Sequence, residues 1–125
     1  MWHQLTIVGR LGRDVESRFT PDGVQVSSFP VAVNDGFGEK KKTIWIRVTA
    51  WRKTAENCNE YLKKGSRVLI TGTLQADPQT GGPRVFDRND GTSGASFEMT
   101  AQQVTFLDSK AEGQASPDGD GDIPF

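Results

Sequence analysis

The residues Thr43-Ile44-Trp45-Ile46-Arg47-Val48-Thr49-Ala50-Trp51 alternate without a break between two kinds of side chain. Side chains of a strand point in turn to its two faces. One face is then Ile44, Ile46, Val48 and Ala50, aliphatic and suited to a core. The other is Thr43, Trp45, Arg47, Thr49 and Trp51. Such a ribbon asks for a sheet buried on one side, with two indoles and a guanidinium on the other, neighbours about 7 Å apart. A nucleobase stacks on an aromatic plane whatever its identity, at about 1–3 kcal/mol per base. An arginine between the rings takes a phosphate or stacks itself. The pattern favours sequence-tolerant binding of an unpaired strand over the plainer reading, in which the tryptophans pack under loops or the strand is buried on both faces.

The rest of the body also reads mainly as strands. Leu5, Ile7, Gly9 and Leu11 share one period-2 face within residues 4–12. Thr20-Pro21-Asp22-Gly23 is a turn, proline presetting φ and glycine allowing it to be positive. A second strand is expected from about Val24 to Asn34, a third from Thr43 to Trp51, a fourth from Arg67 to Gln75 and a fifth from Ser96 to Leu107. Arg84-Val85-Phe86 reads as a continuation of the hairpin between the last two. Ala55, Cys58 and Leu62 recur at helical spacing, which predicts a helix over Thr54–Lys64 with Thr54 as N-cap and Gly65 just past the end. Cys58 falls on its apolar face and reads as a small core residue. Five strands with a helix between the third and fourth match an all-β, five-stranded Greek-key barrel of the OB type. Other five-strand barrels share that order.

Composition changes near Leu107. Residues 1–107 hold 14 basic and 11 acidic residues, a net +3, whereas residues 108–125 hold 1 basic and 5 acidic, a net −4. Residues 108–122 contain no aliphatic side chain larger than alanine and are expected to be disordered, since they cannot offset their ordering entropy by burial. The division expected is a domain over 1–107 and a flexible acidic tail over 108–125. Ile123-Pro124-Phe125 breaks the tail's pattern with apolar residues at its tip.

Several classes are excluded or disfavoured. One cysteine cannot form an intramolecular disulfide, and with one histidine it cannot make the usual zinc sites, so a reducing cytoplasm is the expected setting. No apolar run approaches the roughly 20 residues needed to span a bilayer, and Met1-Trp2-His3-Gln4 does not open a signal peptide. Gly9-Arg10-Leu11-Gly12 lacks the helix pair of a KH loop and the Lys-Ser/Thr of a P-loop. Asp118-Gly119-Asp120-Gly121-Asp122 begins like a calcium loop, but Ile123 replaces the required glycine. Asp14 and Glu16 lie beside Arg13 and Arg18 and read as a local ion-pair group. No nucleophile–base–orienter set is visible, so neither catalysis nor a cofactor is expected. Arg10, Arg13, Lys40 to Lys42, Arg52, Lys53, Lys63, Lys64, Arg84 and Arg88 supply cations that as a set suit phosphates. Phe37, in a glycine loop, reads equally as a third stacking residue or as a loop anchor. Trp2 and Ile46 fit either a subunit interface or the core.

The chain resembles the bacterial (or phage-encoded) single-stranded-DNA-binding proteins. The likeness is carried by Leu5-Thr-Ile-Val-Gly-Arg-Leu-Gly-Arg-Asp14, Arg18-Phe-Thr-Pro-Asp-Gly23, Trp45-Ile-Arg-Val48, Ala55-Glu-Asn-Cys-Asn-Glu-Tyr-Leu-Lys-Lys-Gly65, Val68-Leu-Ile-Thr-Gly-Thr-Leu74 and the end Asp120-Gly-Asp-Ile-Pro-Phe125. The resemblance implies an OB fold, a homotetramer built as a dimer of dimers, and single-stranded DNA wrapped across aromatic and basic surfaces. The family's stacking aromatics match Phe37, Trp45 and Trp51, and its phosphate contacts match Arg47, Lys64 and Arg84, then Arg10 and Lys53. Asp77-Pro78 stands where the family often has a further stacking tryptophan, and Phe86 is the candidate substitute. Asp87 to Ala95 looks like an insertion.

The resemblance also implies that the tail's Asp118, Asp120, Asp122, Ile123, Pro124 and Phe125 dock on replication, recombination and repair enzymes. Together these readings describe a non-catalytic, cytoplasmic, nucleoid-associated coat for single strands. The rivals are an OB-fold protein–protein adaptor of the replication or primosome machinery and an OB-fold nuclease. The latter would need carboxylates clustered around a metal.

Overall fold

Alternation in the sequence becomes burial in the barrel. Ile46, Val48 and Ala50 point into the core, where Ile7, Leu11, Phe29, Val31, Val68, Ile70, Met99 and Ala101 meet them from other strands. The computed structural model describes residues 1–108. The expected disordered tail and its tip, Asp118, Asp120, Asp122, Ile123, Pro124 and Phe125, lie outside the described residues.

The elements are β1 (Leu5–Leu11), β2 (Glu16–Phe19), β3 (Gln25–Asp35), β4 (Lys42–Trp51), α1 (Arg52–Tyr61), β5 (Arg67–Gln75), β6 (Arg84–Asp87) and β7 (Ser93–Phe106). β1 pairs antiparallel with both β5 and β3, β5 with β7, and β3 with β4, while β4 runs parallel to β7. These five strands close on themselves, and closure leaves none of them as a free edge. This is the five-stranded OB barrel with its helix between the third and fourth barrel strands. β2 and β6 are short extensions paired to β3 and β7. α1 packs Ala55 and Cys58, with Leu62 after it, into the same core. No helix among the described residues is long and apolar enough to cross a membrane.

The helix starts two residues earlier than its periodicity suggests. Arg52 takes a left-handed conformation (φ 59°), which turns the chain sharply out of β4 and lets α1 begin at once. Trp51 stands at the N-cap without a side-chain capping bond, so Thr54 is not the cap. At the other end Leu62 N–H reaches the Cys58 carbonyl and the helix stops. Lys63 to Ser66 form a turn in which Gly65 has φ 90°.

β2 was not expected as a strand, because its four residues are all exposed and show no apolar alternation. The turn chemistry before Val24 makes it: Thr20 N–H donates to the Val24 carbonyl and Val24 N–H to Thr20 Oγ1, which folds β2 back on β3. β7 begins at Ser93, earlier than Ser96, because β6 pairs with its first residues. The segment Asp87 to Ala95 is thus mostly a tight hairpin, closed by Arg88 N–H on the Thr92 carbonyl. Ile46 is core, and Trp2 is exposed.

Candidate nucleic-acid interface

Strand register decides which side chains share the outer face of the barrel. Opposed residues of paired strands point to the same side. Thr49 of β4 opposes Ser28 of β3, which opposes Glu16 of β2. Arg47 opposes Pro30, Trp45 opposes Ala32, and Arg47 is level with Glu98 on β7. Ser96 of β7 opposes Arg84 of β6, and Gly94 opposes Phe86. One continuous face therefore carries Glu16, Ser28, Arg47, Trp45, Glu98, Arg84 and Phe86.

An open groove of about 460 Å³ runs along this face. Trp45 and Arg47 line it from β4, Ser28 and Pro30 from β3, Gly12, Arg13, Asp14 and Glu16 from the β1–β2 segment, and Arg84, Phe86 and Ser96 from the hairpin. Trp45 is 54% exposed. Arg47 Nη2 donates to Ser28 Oγ at 3.2 Å, and Ser28 is itself buried. The guanidinium is thus fixed at one corner and leaves its other N–H groups for an anion or a base. Phe86 has the Arg84 guanidinium carbon 5.7 Å from its ring centroid and that of Arg88 5.5 Å away, two cations against one ring. Arg88 is anchored by Nη1 to the Ser93 carbonyl at 2.7 Å, and Arg84 Nη1 lies 3.7 Å from Glu98 Oε2.

The other expected residues do not line this groove. Trp51 continues the β4 face to its end and is 44% exposed. Phe37 sits on the β3–β4 loop before a one-turn 3₁₀ segment, Gly38–Lys40, and is 91% exposed, which overturns the loop-anchor reading. Lys53 is exposed on α1 and pairs with Glu56 at 3.4 Å. Arg10 Nη1 donates to the Gly65 carbonyl at 3.1 Å, beside Lys64 in the α1–β5 turn. The ion-pair reading of Asp14 gives way to a backbone contact: its Oδ1 accepts the Lys64 N–H at 2.8 Å and ties the end of β1 to that turn.

Sequence reasoning missed Gly12, Ser28 and Glu98. Ser28 carried a faint signal, as one of two adjacent serines in an otherwise apolar strand, where buried hydroxyls need partners. Ser27 finds its own in the Ala55 carbonyl at 2.9 Å.

Among the described residues, three groups have displaced acidities. Burial pushes the Cys58 thiol up to about 12. Burial also works to raise Asp108, but the Arg67 side-chain and N–H bonds, with the charges of Arg67 and Arg10, hold it below the usual carboxylate range. Thr92 donates to Asp90 from its hydroxyl and its N–H at the tip of the hairpin and lowers that carboxyl. Among the described residues no group of three or more His, Cys, Asp or Glu side chains is placed to hold a metal ion.

Comparison with known proteins gives a consistent result. Residues 2–107 match the model of the single-strand binding protein family. A single-stranded DNA-binding protein of Halalkalibacterium halodurans is 37% identical, over 97% of this chain and 71% of its own. Single-stranded DNA-binding protein 3 of Listeria innocua is 39% identical, over 90% of this chain and 68% of its own. A single-stranded DNA-binding protein of Oceanobacillus iheyensis is 36% identical, over 97% and 72%.

Proposed function

Since the chain belongs to the single-strand binding protein family, we propose that it binds and protects single-stranded DNA without marked sequence preference during replication, recombination and repair. The observation that carries this reading is the exposed row of Trp45, Arg47 and Trp51 on β4, with Arg47 pinned by Ser28. Bases stack on the indoles and on Phe86, and Phe37 supplies a further ring from its loop. Arg47 and Arg84 take phosphates within the groove, while Arg10, Lys53 and Lys64 extend the positive field and release counterions. The role is one of binding, not catalysis, and needs no cofactor.

The assembly proposed is a homotetramer, a dimer of dimers. Leu74, Val85 and Phe97 support it: register puts them on the same side as core residues, yet they are exposed where the hairpin runs past the barrel. Large exposed apolar side chains on the three neighbouring strands β5, β6 and β7 favour cover by a partner. The tail's Asp118, Asp120, Asp122, Ile123, Pro124 and Phe125 are proposed to recruit replication, recombination and repair enzymes, the apolar tip filling a pocket and the carboxylates meeting a basic rim. The setting that follows is cytoplasmic, on the nucleoid.

The test is fluorescence titration with oligo(dT) at two salt concentrations, with mass by light scattering on the same samples. Strong quenching of tryptophan emission and a steep fall of affinity with salt are expected. Little quenching, or a flat log–log plot, would favour the adaptor reading. Deleting Asp122 to Phe125 should spare DNA binding and abolish enzyme pull-down.

A further inference from the structure

A groove meant only for a polyanion would carry no carboxylate, yet Glu16 lines this one. It stands on β2, directly opposite Ser28, the hydroxyl that pins Arg47. Its side chain is exposed and has no hydrogen bond or ion pair among the described residues. Asp14, its neighbour on the same wall, is already engaged by the Lys64 N–H. An unengaged carboxylate repels phosphate and accepts only from N–H or O–H donors. A strand lying in the groove can keep its phosphates toward Arg47, Arg84 and Arg13 while a base edge turns toward Glu16.

We infer that Glu16 reads the edge of the base stacked on Trp45, and that it favours bases with an exocyclic amine. Cytosine offers an N4 amino group as donor, the natural partner of a glutamate, whereas uracil and thymine offer a carbonyl at that position. The result is a modest preference laid over sequence-tolerant stacking. The inference rests on the single-strand reading.

The experiment compares oligo(dC) with oligo(dU) of equal length at neutral pH. These bases differ chiefly in the 4-amino against the 4-oxo group. Intrinsic differences in stacking and backbone flexibility cancel when the dC/dU affinity ratio is compared between the parent and Glu16→Ala. The ratio should fall by about five-fold in the variant, the low end of a single base contact because the groove is open. Glu16→Gln, which keeps one neutral acceptor, should lie between. Equal strengthening of both oligomers by Glu16→Ala would overturn the inference and leave Glu16 as a plain repulsive charge. So would no change in either. Failure of the parent to bind either oligomer is a different result, and it removes the single-strand reading itself.

Discussion

A side chain added at Gly12 would place its Cβ 2.5 Å from Cζ3 of the Trp45 indole and 2.9 Å from Cη2. The ring occupies the space that any other residue at the end of β1 would need. Contact between carbons is comfortable only near 3.5–4.0 Å, so the indole must move if Gly12 changes. Gly12→Val should leave the barrel folded, because the obstacle is an exposed ring and not backbone. It should weaken oligo(dT) binding by about 1–2 kcal/mol, part of one stacking contact. Titration with circular dichroism as a control checks this; full affinity would separate Trp45's seat from its function.

Glu98 restrains Arg84. The pair is 3.7 Å apart, with Arg84 exposed and Glu98 half-buried, and so long a contact to an exposed guanidinium contributes little to stability. Glu98→Gln should therefore not lower the melting temperature appreciably. It should raise affinity for oligo(dT) and steepen the log–log salt slope by about 0.7, the increment for one more phosphate contact on a single strand. An unchanged slope would mean that Arg84 is already free to reach phosphate.

Cys58 is buried and its thiol is displaced upward from 9.0 to about 12. The unfolded chain ionises first, so the stability due to the buried neutral thiol is complete below pH 9 and disappears as pH rises through about 12. Alkaline melting curves should show a steeper loss for the parent than for Cys58→Ala. A thiol reagent at pH 8 should label Cys58 only as fast as the barrel opens.

Asp108 accepts Arg67 Nε at 2.8 Å and Arg67 N–H at 2.9 Å. Its carboxyl is depressed in the folded state, so its contribution is present above the ordinary carboxylate value and is lost as pH falls through the folded one. Asp108→Asn should cost at most about 1 kcal/mol, given how exposed both partners are. Acid melting curves of parent and variant should converge as the pH drops.

The β4 face was legible because a period of two needs no tertiary knowledge: Ile46, Val48 and Ala50 are buried and Trp45, Arg47 and Trp51 exposed, as alternation requires. β5 likewise spans Arg67–Gln75, the residues its pattern marks. What escaped depends on partners far along the chain. β2 is a strand only because the Thr20 turn returns it to β3. The helix start turned on the left-handed Arg52, a conformation that propensity assigns to glycine. Gly12 against Trp45, Ser28 against Arg47 and Glu98 against Arg84 are contacts between strands distant in sequence, and no local pattern announces them.

The bonds around Asp108 have a mechanical meaning. Leu107 N–H is held by the Arg67 carbonyl, and the next residue by the Arg67 main chain and guanidinium together. β7 is thus riveted to the start of β5 by the last two described residues. Three bonds to one residue, Arg67, must open before this end of β7 comes away from β5. Main chain and side chain together therefore suppress fraying at that end of the strand.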